Sequence, residues 1–533
     1  MSADLSIDVA PDTSTPLADS VMSADLVRLL RSRVVASGSG AVTVGTAPFD
    51  ASPLPAVPSS SEADVDIAFE TARRQQKVWE QTPIRERCRV LLRFHDLVYA
   101  RRQQGMDIVQ LETGKSRGSA SEELGDVPIT ARSYARTAEK ALASNRRRGA
   151  IPLLTAAKVH HVPIGVVGMI SPWNYPLTLA ITDAIAALVA GNAVVLKPDT
   201  QTMFTALWVV EQMLEAGLPE GVLNVVSGDG PVVGPMVVDR ADYVMFTGST
   251  ATGRQVASRC GERLIGCSME LGGKNAMIVA PDIKVERAAQ IAVSASFANT
   301  GQLCISMERI YIHTDVYDEF LAAFVRRTNA LQLRAGIGWG ADVGSLISAR
   351  QLARVSEHVD DAVAQGATVL AGGKARPDVG PFFYEPTILA DVTREMILSF
   401  TETFGPVVSV YRVDSVEEAI ERANNTEYGL NASVLVGSVK HGRAIARQLH
   451  AGTVNINEGY GAAWASVDAP MGGFRASGLG RRHGKEGLLK YTEIKNVAAQ
   501  RIQGFTRPDG VSDKVWGEGL ITSVAVMRRL GMK

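Results

Sequence analysis

One cysteine stands apart from the other three. Cys304 lies in the run Phe297-Ala298-Asn299-Thr300-Gly301-Gln302-Leu303-Cys304-Ile305, after a Gly-Gln pair that closes a predicted helix. On a loop at that point a side chain can face a cleft, and a thiolate with a lowered pKa is a strong nucleophile. Cys88, Cys260 and Cys267 have no such context and read as small buried hydrophobes. Spacing alone leaves Cys304 open to either role. Glu270, in Met269-Glu270-Leu271-Gly272-Gly273-Lys274-Asn275, sits where a predicted strand gives way to glycines. An α/β active site places a general base at such a point, although a solvated loop carboxylate has the same local sequence. Asn174, in Ser171-Pro172-Trp173-Asn174-Tyr175-Pro176, follows another predicted strand. Its amide can donate to a developing oxyanion; a proline-bounded turn is the plainer reading.

The elements around these residues follow a clear pattern. Residues 63–145 are rich in Ala, Arg, Glu, Gln and Leu at helical spacing. From Val162 onward, short apolar runs alternate with amphipathic stretches. The spacing predicts strands over 165–170, 193–197, 223–226, 243–246 and 264–266, with helices over 177–190, 203–216, 232–238 and 252–260. Val- and Ile-rich strands separated by helices imply a parallel sheet covered on both faces, with ligands at the carboxyl ends of its strands. A second alternating region runs from Asn275 to about Asn457, with strands predicted over 277–279, 309–313, 368–371 and 407–411. The fold class is therefore α/β with two Rossmann-type units. The segment 484–500 returns to the first unit or reaches another subunit.

Composition excludes several classes. The 533 residues are 46% hydrophobic and 21% charged, enough to bury large cores. Lys and Arg total 55 and Asp and Glu 56, which speaks against a nucleic-acid partner or a polybasic membrane surface. Four cysteines with no C-x-x-C pair, and eight histidines with no H-E-x-x-H, point to neither a disulfide scaffold nor zinc. The acidic start MSADLSIDVAPDTSTP lacks a basic and an apolar region, so it is not read as a secretory signal, and a cytoplasmic location follows. Its first 20 residues are expected to be disordered. The apolar run 177–196 is long enough to span a bilayer, but Asp183 and Gly191-Asn192 divide it into a buried helix and a buried strand. The end of the chain, 515–533, carries Leu520, Ile521, Val524 and Met527 at helical spacing, with Arg528, Arg529 and Lys533 behind them. Docking on a subunit is favoured there over a membrane surface.

Seven motifs in order, SPWNYP, KPDTQT, FTGSTATG, MELGGKN, GQLC, ETFGPV and PMGGFRASGLG, resemble the aldehyde dehydrogenase superfamily over about residues 60–500. Within it, ISPWNYP, KPDTQT and GQLCIS resemble a bacterial subgroup of NADP-dependent succinate-semialdehyde dehydrogenases. The resemblance implies a disordered tail over 1–20 and a cofactor-binding domain with a helical N-terminal part over 21–271. It implies a catalytic domain over 272–459, and a return to the cofactor domain with an oligomerisation segment and C-terminal helix over 460–533. It implies Cys304 as nucleophile, Asn174 as oxyanion donor and Glu270 as the base that activates water, with release of a free acid rather than transfer to coenzyme A. Trp173, Asn174, Lys197, Pro198, Asp199, Thr200, Gly248, Ser249, Gly253, Leu271, Glu402 and Phe404 are then cofactor-binding. The position that holds a ribose-binding glutamate in NAD-preferring relatives is Thr200 here, which favours NADP and leaves NAD possible; Asp199, one residue away, pulls the other way. The partner is a small aldehyde, and the assembly a homodimer or homotetramer. An arginine that pairs the substrate carboxylate in many succinate-semialdehyde dehydrogenases is missing near Asp183, and Arg309, Arg475 and Ser306 are the candidate replacements. Leu303, Ile305, Trp464 and Tyr175 suit instead a tunnel for a longer aliphatic or aromatic aldehyde. A non-catalytic structural protein on the same fold is the alternative of another class.

Overall fold

Apolar strands and the helices between them sort into two parallel sheets in the computed structural model, which describes residues 17–38, 40–149, 155–501, 504, 506–529 and 531. The first sheet has six strands, in the order Gly478–Leu479, Gly266–Glu270, Tyr243–Thr247, Val166–Ile170, Ala193–Lys197 and Leu223–Val225. All are parallel except Gly478–Leu479, which runs antiparallel to Gly266–Glu270. Chain order reverses at Val166–Ile170, so a crevice opens at the carboxyl ends beside this strand. Val166, Val167, Val194 and Val195 are almost wholly buried, as a sheet covered on both faces requires.

The run 177–196 divides as its sequence predicts. Pro176 opens the helix Pro176–Ala190, Gly191 closes it with φ 101°, and the strand Ala193–Lys197 follows. Among the described residues no helix is long and apolar enough to cross a membrane. Residues 63–145 form four main helices, Glu62–Trp79, Ile84–Ala100, Arg102–Thr113 and Arg117–Leu142. Ser61 and Asp64 cap the first reciprocally, and Gly114 ends the third in the left-handed region.

The second sheet has seven strands, ordered Thr368–Ala371, Thr387–Ala390, Val407–Val413, Met307–His313, Asn275–Val279, Asn431–Leu435 and Thr453–Ile456. Only Thr368–Ala371 is antiparallel to its neighbour. A third, antiparallel sheet joins Asn145–Arg148, Thr155–Pro163 and Thr492–Gln500, so the segment after residue 484 pairs with the strand that leads into the first sheet. Its last strand is largely exposed, with Ile494 and Val497 uncovered.

Three expectations need correction or restriction. The strand predicted over 264–266 begins at Gly266 and runs to Glu270. Leu264 belongs instead to the turn that closes the preceding helix, with φ 55° and Ile265 N–H bonded to the Cys260 carbonyl at 3.1 Å. Of the expected disordered tail, residues 1–16 lie outside the described residues, and Leu17–Val21 is a helix with Ala18 buried. The C-terminal helix spans Asp513–Arg529 and buries none of its described side chains within this chain.

Candidate active site

Both sheets point their chemistry at one cleft, by opposite edges. The six-stranded sheet presents carboxyl ends: Ile170 leads to Trp173 and Asn174, Lys197 to Asp199 and Thr200, Thr247 to Gly248 and Ser249, and Glu270 ends its own strand. The seven-stranded sheet presents amino ends: Cys304 precedes Met307–His313, and Glu402 and Phe404 precede Val407–Val413.

The thiol loop is bent and fastened. After the helix Val285–Phe297, Asn299 and Thr300 adopt φ of 50° and 57°, unusual for residues with a side chain. Side-chain bonds hold the turn. Asn299 Nδ2 donates to the carbonyls of Asn174 and Gln302, both at 3.0 Å, and Ser119 Oγ accepts from Asn299 N–H at 3.0 Å. A Cβ on Gly301 would lie 2.0 Å from the Gly405 carbonyl, so this turn requires glycine. Asn275 Nδ2 donates to the Cys304 and Ser306 carbonyls at 2.7 Å each. Asn174 Nδ2 donates to Gln302 O at 3.0 Å, which brings this amide to the thiol loop and leaves its second hydrogen for another acceptor.

Behind Asn174 lies a buried ion pair. Lys115 Nζ meets Glu123 Oε1 at 2.5 Å and donates to the Asn174 carbonyl at 2.7 Å, with both side chains fully buried. Glu123 Oε2 accepts from Leu177 N–H at 2.8 Å, at the start of the next helix. Removing one partner of such a pair costs about 3–5 kcal/mol.

Three acidic groups share the cleft. Cys304 is half-buried, and burial first, then Glu402 and Glu270, push its pKa up to about 12, with Arg482 opposing. Glu270 is buried, and its Oε1 has no hydrogen-bond partner among the described residues. Burial raises its pKa to about 7 against the pull of Arg482 and Lys490. Glu402 is also raised to about 7, by burial and then by Glu308, while its Oε1 accepts from Gly273 N–H at 2.9 Å. A Cβ on Gly272 would stand 2.4 Å from Glu402 Oε2, so glycine is what lets this carboxylate approach. A carboxylate raised towards neutral pH, as Glu270 is, is matched to general-base work on water.

The other edge fits a dinucleotide. Lys197 is buried, and its ammonium makes no hydrogen bond or ion pair among the described residues. Burial lowers its pKa, with Asp199 and Asp229 opposing. Asp199 accepts from Gln201 N–H at 2.9 Å, while Thr200 lines a cavity of about 570 Å³ together with Thr43, Ser59, Ser61 and Asp229. Pro198 is buried between Lys197 and Asp199. Gly248 N–H bonds the Glu270 carbonyl at 3.0 Å, and Ser249 caps the helix Thr250–Glu262, whose N-terminus can receive a phosphate. Leu271 packs on Gly253, where a Cβ would strike its side chain at 2.4 Å. Trp173 meets Phe404 edge-on, centroids 5.6 Å apart, and so ties the two edges together. Phe404, at φ 57°, is held by Glu308, which accepts its N–H at 3.0 Å and pairs with buried Lys274.

The candidates for a substrate carboxylate do not reach the cleft. Arg309 is buried and donates to the Lys274 and Ala423 carbonyls, Arg475 to Thr426 O and His450, and Ser306 to the carbonyls of Ala295 and Ser296. Asp183 is buried in an ion pair with Arg482 at 2.8 Å and Lys490 at 3.0 Å; burial opposes its charge, but these cations hold its carboxyl below the usual range. Tyr175, Leu303 and Ile305 do flank Cys304, joined by Tyr460 and Leu430. Sequence reasoning missed Arg482, Glu122 and the Lys115–Glu123 pair, since each acts across more residues than any local pattern spans, apart from that last pair within one turn-and-helix segment.

Comparison with known proteins gives the family and the fold. The sequence profile of the aldehyde dehydrogenase family matches residues 35–497. A protein of Mycolicibacterium smegmatis, provisionally named an NADP-dependent succinate-semialdehyde dehydrogenase, is 53% identical over 477 residues, 90% of this chain and 92% of its own. The fold is that of aldehyde dehydrogenases. The NAD+ complex of the Bacillus cereus enzyme aligns with a TM-score of 0.84 at 33% identity, covering 90% of this chain and 99% of that one. An Escherichia coli NADP-dependent enzyme aligns at 0.83 and 33%, covering 87% and 96%.

Proposed function

Because this chain belongs to the aldehyde dehydrogenase family, we propose that it oxidises an aldehyde to the free carboxylic acid with NADP, and that succinate semialdehyde is its substrate. The observation that carries the chemistry is the buried Glu270, unpartnered at Oε1 and titrating near 7, in the same cleft as the Cys304 thiol. The thiol proton passes to solvent, and the sulfur attacks the aldehyde carbon to give a thiohemiacetal oxyanion. The free hydrogen of the Asn174 amide and the Cys304 backbone N–H stabilise the oxyanion; one such donor is worth about 3–4 kcal/mol. Bound NADP would supply the hydride acceptor that turns the adduct on Cys304 into a thioester. Glu270 then draws a proton from water, which attacks the thioester and releases the acid and the thiol.

Lys197, Thr200, Ser249 and the helix that begins at Thr250 would hold the adenosine and pyrophosphate, with Glu402 and Phe404 at the nicotinamide end. Thr200 beside the cavity supports NADP over NAD, because this position sets no carboxylate against a 2′-phosphate. The names of the relatives support succinate semialdehyde. The apolar and aromatic side chains of Tyr175, Leu303, Ile305 and Tyr460 beside Cys304 favour a second reading, a broader aliphatic or aromatic aldehyde. Exposed Ile494 and Val497 support assembly as a homodimer or homotetramer. NADPH formation from succinate semialdehyde and from pentanal, each with both cofactors, tests these readings; activity with NAD alone contradicts the cofactor assignment.

A further inference from the structure

Two cysteines that the oxidation chemistry does not use stand side by side. The helix Thr250–Glu262 carries Cys260 close to its end, and the strand Gly266–Glu270 carries Cys267 next to its start. The turn between them folds back tightly. Leu264 N–H donates to the Gly261 carbonyl and Ile265 N–H to the Cys260 carbonyl, each at 3.1 Å, with Leu264 at φ 55°. Arg263 fastens the turn by donating to the carbonyls of Val238 and Ala241. Cys260 and Cys267 thus meet in the core around the six-stranded sheet, where their thiols share a hydrogen bond. Neither is the isolated small hydrophobe that its own sequence context suggests.

The two thiols are not equivalent. Cys260 is wholly buried, whereas Cys267 is half-buried. Beside Cys267 the outer edge of the strand is open, because Gly478–Leu479 pairs only with Glu270 and Met269 among the described residues. A small oxidant therefore meets Cys267 first and finds Cys260 directly behind it. The shared hydrogen bond lowers the pKa of Cys267 against its partial burial, and it raises that of Cys260, to which burial adds. Burial raises the thiol pKa at Cys304 and at Cys88. Since the thiolate is the form that attacks a peroxide, Cys267 has the advantage over both.

We propose that Cys260 and Cys267 form a reversible disulfide on exposure to a peroxide, and that this pair is oxidised ahead of the reaction thiol Cys304. The Cys267 sulfur attacks the peroxide, the O–O bond breaks, and a sulfenic acid forms with release of water. The Cys260 thiol then attacks that sulfur, the S–S bond forms and a second water leaves. Two thiols lose two hydrogens, and hydrogen peroxide is reduced to two waters. The bond ties the end of the helix that begins at Thr250 to the strand that ends in Glu270, and it consumes oxidant away from the cleft. This assignment is independent of the aldehyde chemistry.

The test uses the full chain, reduced, freed of reductant and exposed to hydrogen peroxide, with remaining thiols blocked by N-ethylmaleimide at intervals. Trypsin cuts after Arg259, Arg263 and Lys274, so the disulfide joins peptide 260–263 to peptide 264–274. Mass spectrometry without reductant is expected to show this linked pair, lighter by two hydrogens than its parts. It should appear at least about tenfold faster than oxidation of the peptide containing Cys304, and dithiothreitol should reverse it. In Cys260→Ser, Cys267 should pass to the sulfinic acid without linkage, and in Cys267→Ser, Cys260 should remain a thiol. No linked pair in the wild type, or oxidation of Cys304 before the pair closes, overturns the proposal. Oxidation of Cys260 at the wild-type rate in Cys267→Ser also overturns it, because Cys267 is then not the point of entry.

Discussion

Two buried lysines show how differently the two sheets meet the cleft. Lys197 ends a strand of the six-stranded sheet, and its ammonium has no partner among the described residues. Lys274 stands before a strand of the seven-stranded sheet and is paired with Glu308, whose carboxylate also accepts the Thr403 and Phe404 amides at 3.0 Å. Burying a charge without a partner is costly. At Lys197 the charge is left open, as the proposed binding of an anionic cofactor needs; at Lys274 it is closed, and the pair fixes the loop that carries Glu402 and Phe404. The comparison separates an edge built to receive from an edge built to hold.

The largest expected effect is on the holding edge. Cys304→Ala is expected to reduce aldehyde oxidation to background while cofactor binding, read by fluorescence titration, persists; retained turnover removes the thiol from the chemistry. Glu270→Gln, where the two edges meet, should slow hydrolysis of the acyl enzyme by about 10²–10⁴. The sign of the pH dependence follows from the same group. Its base form is the deprotonated one, so the wild-type hydrolysis rate should rise with pH through about 7, and Glu270→Gln should lose that limb. A limb that persists assigns the titration to another group.

The paired lysine comes next. Lys274→Met leaves Glu308 buried and unpaired, and about 3–5 kcal/mol of stability should be lost, seen in chemical denaturation. Lys197→Met should leave stability near wild type and raise the Kd for NADP. If the two variants exchange behaviours, the distinction between the edges is wrong. The smallest effect is expected at Thr200→Glu, a shift of about tenfold in the NADP to NAD preference, towards NAD, as a carboxylate enters the cavity. An unchanged preference, measured as the ratio of kcat/KM values, moves the discrimination elsewhere.

Much of this was legible in the chain itself, for local reasons. Glycines next to Glu270 and Ser249, a strand before Asn174 and a helix end before Cys304 are short-range signals, and they fix which end of each element a side chain leaves from. The alternation of apolar runs likewise carried both parallel sheets. The failures are equally physical. Strand spacing over 264–266 could not show that Leu264 closes a helix in a left-handed turn. The direction of Asp199 depends on a hydrogen bond to Gln201. Arg309 stood as a candidate because the carbonyls it serves, of Lys274 and Ala423, lie 35 and 114 residues away. Glu122 is one carboxylate among many on a helix until Tyr460, 338 residues later, folds against it.

The central claim is that Cys304 carries the acyl group and Glu270 removes it. Glu270→Gln, mixed once with NADP and an aldehyde that the wild type oxidises, should yield NADPH in a single turnover and an acyl adduct on the peptide containing Cys304, seen by mass spectrometry. NADPH formed with no adduct, or an adduct on Cys88, Cys260 or Cys267, would contradict it.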